Sequence, residues 1–255
     1  MLFHWLKQRR RRKLLAEPFP RESSRYLERN VPFYKALTKE ERKRLEGIAR
    51  ILTEEKNWEG CGGLTMDGEI KLNISAQAAL LILNLDHHYY QSVDSVLVYP
   101  SAFLVPQKQH AGGILLEGTK PALGVAHHRG PVVLSWESAR QGAYDPTDGH
   151  NVVFHEFAHK LDLLDWYADG TPPLESRERY DAWKEIMTEE YQALSDRARK
   201  GRATLLDKYG ATDPAEFFAV ATECFFERPK PLKEKHPKLY DLLRNYYGQD
   251  PTSRA

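Results

Sequence analysis

Apolar residues recur every three or four positions along much of this chain, and that spacing predicts a mainly helical protein. Over 37–56, Leu45, Ile48, Ala49 and Leu52 fall on one helical face, behind Thr38 and Glu41 in a capping-box pattern. A buried helix is predicted over 74–85, where 78–85, broken only by Asn84, is the best apolar run. Two β-branched stretches bounded by Pro or Gly, 93–99 and 131–136, predict strands. Weaker strand signals lie at 114–116 and 123–126, and the glycines at 60, 62 and 63 predict a loop. A loop over 143–149 leads into a helix over 151–163, whose buried face carries Val152, Val153, Phe157 and Leu161. A break at 171–173 precedes an amphipathic, highly charged helix over 177–199, and 201–211 is a connection. Asp213 and Pro214 open the next helix as cap and first residue, and it runs to about Phe226. A last helix covers 237–247. The elements sum to an α+β fold, mainly helical, with a small sheet in the first half.

At 255 residues and 41% hydrophobic, the chain can bury a substantial core. No stretch of about 18 apolar residues is present, so no membrane span is expected. Lys and Arg number 37 against 36 Asp and Glu, and the formal net charge of +1 argues against direct nucleic-acid binding by a globally basic surface. The basic run Arg9 to Lys13 follows the apolar start MLFHWL, which reverses the order of a secretory signal and points to the cytoplasm. Residues 1–30 are expected to be a basic, solvated and mobile arm, with a weak anionic-surface contact as the sharper alternative. Residues 31–255 then form a single domain. Two cysteines, Cys61 and Cys224, cannot build a disulfide framework and suit a reducing compartment.

The most informative residues are His155-Glu156-Phe157-Ala158-His159. On a helix, two histidines four residues apart lie one turn above each other and can reach one metal ion. Glu156 lies beside them, where zinc peptidases of this pattern keep their general base. Zinc (Zn2+) suits two histidines and one carboxylate with an open position. The candidate carboxylate is Glu216, in the first turns of the helix opened by Asp213. Glu223, seven residues on and on the same face, is the alternative ligand, or a carboxylate that supports one. Tyr209, seven residues before Glu216, could donate a hydrogen bond to an oxyanion. Asp162 either accepts the free ring N–H of a ligand histidine or faces solvent. His150 rotates off the ligand face and belongs to the preceding loop. Cys61 and Cys224 are not spaced as a ligand pair, and Cys224 reads as a core thiol.

The segments NVVFHEFAHKLD (151–162) and YGATDPAEFFAVATECFF (209–226) resemble the Mlc titration factor A family of zinc peptidases. The likeness extends to VLVYPSAFLV (96–105) and GPVVLSWESA (130–139), spanning about Phe33 to Pro251 and leaving the basic arm outside. The second segment is also similar to the catalytic domain of anthrax lethal factor. The resemblance implies a zincin-like metallopeptidase domain with His155, His159 and Glu216 as zinc ligands, Glu156 as catalytic base and Tyr209 as transition-state stabiliser. It implies aminopeptidase-like hydrolysis of peptide substrates. It also implies an Mlc-like transcriptional repressor as a partner, and with it the alternative of a non-catalytic protein that sequesters that repressor. Val220 departs from lethal factor, which has a second glutamate there, so a supporting carboxylate one turn beyond Glu216 is missing.

Overall fold

A computed structural model describes residues 2–85, 88–111, 114–126 and 130–254. Four helices come first: α1 (Leu2–Ala16), α2 (Arg21–Asn30), α3 (Pro32–Ala36) and α4 (Lys39–Glu55). Strand β1 (Asn57–Gly60) leads to α5 (Gly68–Leu81) and β2 (Ser95–Tyr99). Strands β3 (Phe103–Ala111) and β4 (Ile114–Ala122) pair antiparallel, and β5 (Gly124–Ala126) and β6 (Val132–Ser135) follow. The remainder is helical: α6 (Trp136–Tyr144), α7 (Val152–Asp162), α8 (Arg177–Arg199), α9 (Pro214–Glu227), α10 (Pro229–Lys235) and α11 (Pro237–Tyr247). The mainly helical α+β expectation holds.

The main sheet has the order β1-β2-β6-β5. Its first two pairings are parallel and the last, β6 with β5, is antiparallel. Strand β5 therefore closes one end of the sheet, and among the described residues its outer edge has no strand partner. All four residues of β6 are buried, as expected for an inner strand.

Helix α5 runs through the middle of the core and is buried on every side from Leu72 to Leu81, polar Asn73, Ser75 and Gln77 included. That burial explains why the predicted helix was displaced. A helix with no polar face has no amphipathic period from which to read its ends. The Asp67 side chain sets the true start by accepting from the Ile70 amide at 2.8 Å. A second packed region lies beneath α9. Phe218 sits edge-on to Trp183 of α8, and Phe225 stacks on Tyr247 of α11 with centroids 5.7 Å apart. These contacts hold α9 rigidly against its neighbours.

Three expectations are corrected. Residues 57–60 form an edge strand where only the following glycine loop was expected; NWEG alternates in burial, but over four residues the alternation is too short to announce a strand. The strand predicted to reach Trp136 ends at Ser135, whose hydroxyl accepts from the Ser138 amide and starts the unpredicted α6. Residues 1–30 are not an arm apart from the domain. Leu27 is fully buried, and Arg11 of α1 is 4% exposed and bound to Glu55. The run of cations concealed one inward-facing guanidinium.

Candidate metal centre

The centre grows from two helix starts. At α7, the Asn151 side-chain oxygen accepts from the Phe154 amide at 2.9 Å, fixing the first turn. Val153, Phe154, Phe157, Ala158 and Leu161 are buried, which orients His155 and His159 together on another face. At α9, Asp213 accepts from the backbone amide of Glu216 at 2.9 Å, and Pro214 occupies the first helical position. Packing of α9 on α7 then brings the carboxylate to the imidazoles. His155 Nε2 lies 2.9 Å and His159 Nε2 3.4 Å from Glu216 Oε2, and the two Nε2 atoms are 3.2 Å apart. One donor atom from each of the three residues lies within 4.8 Å of the others. Among the described residues this is the one such group of His, Cys, Asp or Glu. Two imidazole nitrogens and a carboxylate oxygen, with one side open, suit zinc. A cation between them also relieves the approach of two ring nitrogens that both carry lone pairs.

Glu223 orients the first histidine. It accepts from His155 Nδ1 at 2.7 Å with one oxygen and from the Asn151 backbone amide at 2.5 Å with the other. The ring's Nδ1 thus carries the proton, and Nε2 is left to face Glu216 and His159. Of the two roles open to Glu223, the geometry favours a place behind the donor group rather than in it. Val220 is buried and apolar, and the supporting carboxylate stands two turns beyond Glu216 instead of one. Asn151 continues the contact inward, donating from its side chain to Gln77 on α5 at 2.9 Å. Sequence reasoning missed this pairing of Asn151 and Gln77; the helix-cap position of Asn151 was the available signal.

Glu156 is buried at 5% exposure. Burial pushes its carboxyl from an ordinary 4.5 to about 7, although His155 and His159 pull it down. The carboxyl lies against the bare Cα of Gly124 on β5, where a Cβ would come within 2.4 Å of Oε1. Glu216 responds oppositely. Burial works to raise it, but hydrogen bonds with His155 and His159 outweigh that and hold it well below the usual carboxylate range. Tyr209, 48% exposed, donates to Glu216 Oε1 at 3.1 Å. Burial and the neighbouring Glu216 raise its pKa, so the phenol remains a donor.

The other candidates settle elsewhere. Asp162 neither reaches a ligand histidine nor faces solvent; it is fully buried and accepts from the Gly170 amide at 3.0 Å. Gly170 has φ +77° and presses on the start of α9, where a side chain would strike the Pro214 carbonyl. His150 is exposed, outside the donor group, with Nδ1 3.5 Å from Asp207. Cys224 is buried and both cysteines are free.

The donor group sits in a cleft of about 1450 Å³. Its walls include β5, Glu137 and Arg140 of α6, Asp148, and Tyr209. That volume exceeds the 300–1,000 Å³ usual for small-ligand pockets and has room for a run of several residues. No helix among the described residues is long and apolar enough to cross a membrane.

Comparison with known proteins extends the resemblance to α1. An uncharacterized protein of Synechocystis sp. is 38% identical over 250 residues, 97% of this chain and 90% of that protein. Mlc titration factor A of Serratia proteamaculans is 32% identical over 228 residues, 88% of this chain and 86% of that protein. Mlc titration factor A of Yersinia enterocolitica is 31% identical over 229 residues, 88% and 85% respectively. The family profile described as glucose-regulated metallo-peptidase M90 matches residues 5–248, so most of the basic helix lies inside the likeness and not outside it. With a donor group of two histidines and a glutamate between α7 and α9, and a match over nearly its whole length, the chain belongs to the M90 family of glucose-regulated metallo-peptidases.

Proposed function

We propose that this protein is a zinc-dependent peptidase in which His155, His159 and Glu216 hold the metal, Glu156 is the general base and Tyr209 stabilises the transition state. The observation that carries the reading is the convergence of the three donors at the wall of a cleft that also holds the buried carboxyl of Glu156. A zinc ion bound there supplies Lewis acidity and an acidified water. Glu156, buried beside the three donors, accepts a proton from the attacking water and returns it to the leaving amine. Tyr209 swings its hydroxyl from Glu216 to the oxyanion of the tetrahedral adduct. The outer edge of β5 receives an extended peptide by strand addition beside Glu156. An aminopeptidase-like register needs an anion for the substrate ammonium, and Glu137 and Asp148 are exposed carboxylates on the cleft wall.

Replacing Glu156 by Gln tests the assignment. The variant is expected to keep its zinc stoichiometry and to lose at least about 100-fold in hydrolysis of an aminoacyl anilide. Turnover equal to the parent's would remove Glu156 from the mechanism.

The name shared by relatives supports a second activity, binding of an Mlc-like transcriptional repressor in the cytoplasm. Two free cysteines and no disulfide among the described residues suit that compartment. Repressor binding that persists in Glu156→Gln separates sequestration from catalysis.

A further inference from the structure

Helix α1 is built inside out. Among its side chains whose burial is described, the one most deeply buried is Arg11, at 4% exposure. The Arg11 guanidinium grips Glu55 of α4 with two hydrogen bonds, 2.7 and 2.6 Å, and lies 4.3 Å from the Tyr89 ring centroid. Lys7 approaches the same carboxylate at 3.5 Å. Arg50 of α4 completes the anchorage by donating to the carbonyls of Leu14 and Glu17, each at 2.9 Å. The helix is thus fixed in rotation with one polar face inward.

The outward face is consequently specified too. At 100° per residue, Trp5, Leu6, Arg9, Arg12 and Lys13 fall within an arc of about 120° opposite Arg11. Trp5 is 50% and Leu6 45% exposed. The Arg9 guanidinium rests 5.5 Å from the Trp5 ring centroid, and Arg12 and Lys13 are exposed, with no ion pair to either among the described residues. Two large apolar side chains at one end of an exposed face, followed by three cations, gain nothing from water. At an anionic lipid surface the same face gains twice. Indole and leucine enter the headgroup boundary, and the cations meet lipid phosphates.

We propose that the outer face of α1 docks this protein on the surface of an anionic phospholipid bilayer, as a peripheral contact. Nucleic acid would use the cations but has no place for Leu6 beside Trp5. The net charge of +1 also supplies no overall attraction to a polyanion, so the interaction is confined to this face. None of these residues lines the cleft, so the inference is independent of the proposed reaction.

Co-sedimentation of the full chain with vesicles tests it, comparing phosphatidylcholine alone with phosphatidylcholine containing about 30% phosphatidylglycerol at low salt. Each basic residue near such a surface contributes about fivefold, so three predict a preference of about 100-fold for the anionic vesicles. That preference is expected to collapse at about 0.5 M salt. Arg12→Ala with Lys13→Ala is expected to weaken binding about 25-fold. Trp5→Ala with Leu6→Ala is expected to weaken it on vesicles of every charge. The thermal midpoint and anilide hydrolysis are expected to be unchanged in both variants. Equal partition onto neutral and anionic vesicles, no partition onto either, or parental binding by both variants would overturn the proposal. Capture of a single-stranded RNA oligonucleotide without vesicle binding would overturn it as well and assign the face to nucleic acid.

Discussion

Glu223→Gln is the most informative single change, because it keeps the side chain's shape while removing one charge and reversing the direction of a proton. In the parent, one carboxylate oxygen accepts from the Asn151 backbone amide at 2.5 Å and the other from His155 Nδ1 at 2.7 Å. The backbone amide can only donate, so it claims the glutamine's single oxygen. The new NH2 group then points at Nδ1, which must become an acceptor. The ring proton moves to Nε2, the atom that needs a free lone pair to hold a metal. The alternative rotamer keeps Nδ1–H paired but sets two donors against each other at Asn151, buried at 1% exposure. That unsatisfied contact costs about 1–3 kcal/mol, a factor of roughly 5–150. By either route zinc affinity is expected to fall about 10- to 100-fold or more, in line with lost support behind a ligand histidine. Glu223→Ala leaves Nδ1–H free to keep its proton and should lose less zinc affinity than Glu223→Gln, while unfolding at lower temperature. The assay is competition for Zn2+ against a calibrated chelator, with thermal unfolding of the metal-free forms alongside. Parental zinc affinity in Glu223→Gln, or weaker zinc binding by Glu223→Ala than by Glu223→Gln, would refute the tautomer argument.

Three further outcomes are expected. Gly124→Ala forces a Cβ to within 2.4 Å of Glu156 Oε1, so anilide turnover should fall about 100-fold at unchanged zinc content, as a catalytic carboxyl displaced by about 1 Å would produce. Asp213→Ala removes the cap at the Glu216 amide; it should cost about 1 kcal/mol, read as a lowering of the thermal midpoint by about 2–4 °C. Burial raises the Glu227 carboxyl to about 9, above its ordinary 4.5, so the folded state holds a proton that the unfolded chain releases. Stability from this group is complete below about pH 4.5 and is lost as pH rises toward 9, by up to about 1.4 kcal/mol per unit. Glu227→Gln should therefore gain stability over the parent as pH increases from 5 to 9 in denaturant titrations, and a constant difference across that range would contradict the assignment.

Helix positions with strong end signals were legible in the sequence. Arg177–Arg199 and Pro237–Tyr247 appear at the predicted bounds, and Thr38 and Glu41 form the reciprocal cap that their spacing announced. The identities of His155, Glu156, His159, Glu216 and Tyr209 as candidates were also legible, since helical geometry converts sequence spacing directly into a shared face. What a single chain pattern cannot carry is which face meets which. The fully buried α5 has no amphipathic period, so its pattern does not tell which of its faces meets α4 and which α7. Gly124 gains meaning only when β5 is laid against Glu156, and Asp162 is drawn to Gly170 by a loop the spacing does not describe. The arginine run looked uniformly solvated because adjacent cations share one-dimensional sequence, whereas a helix turns one of them, Arg11, onto Glu55, 44 residues away. Sequence alone determined the chemical types and their local periodicity. The tertiary structure decided the pairings across 60 or 70 residues, such as His155 with Glu216 and Glu223, because those contacts are set by how α7 and α9 pack and not by either helix alone.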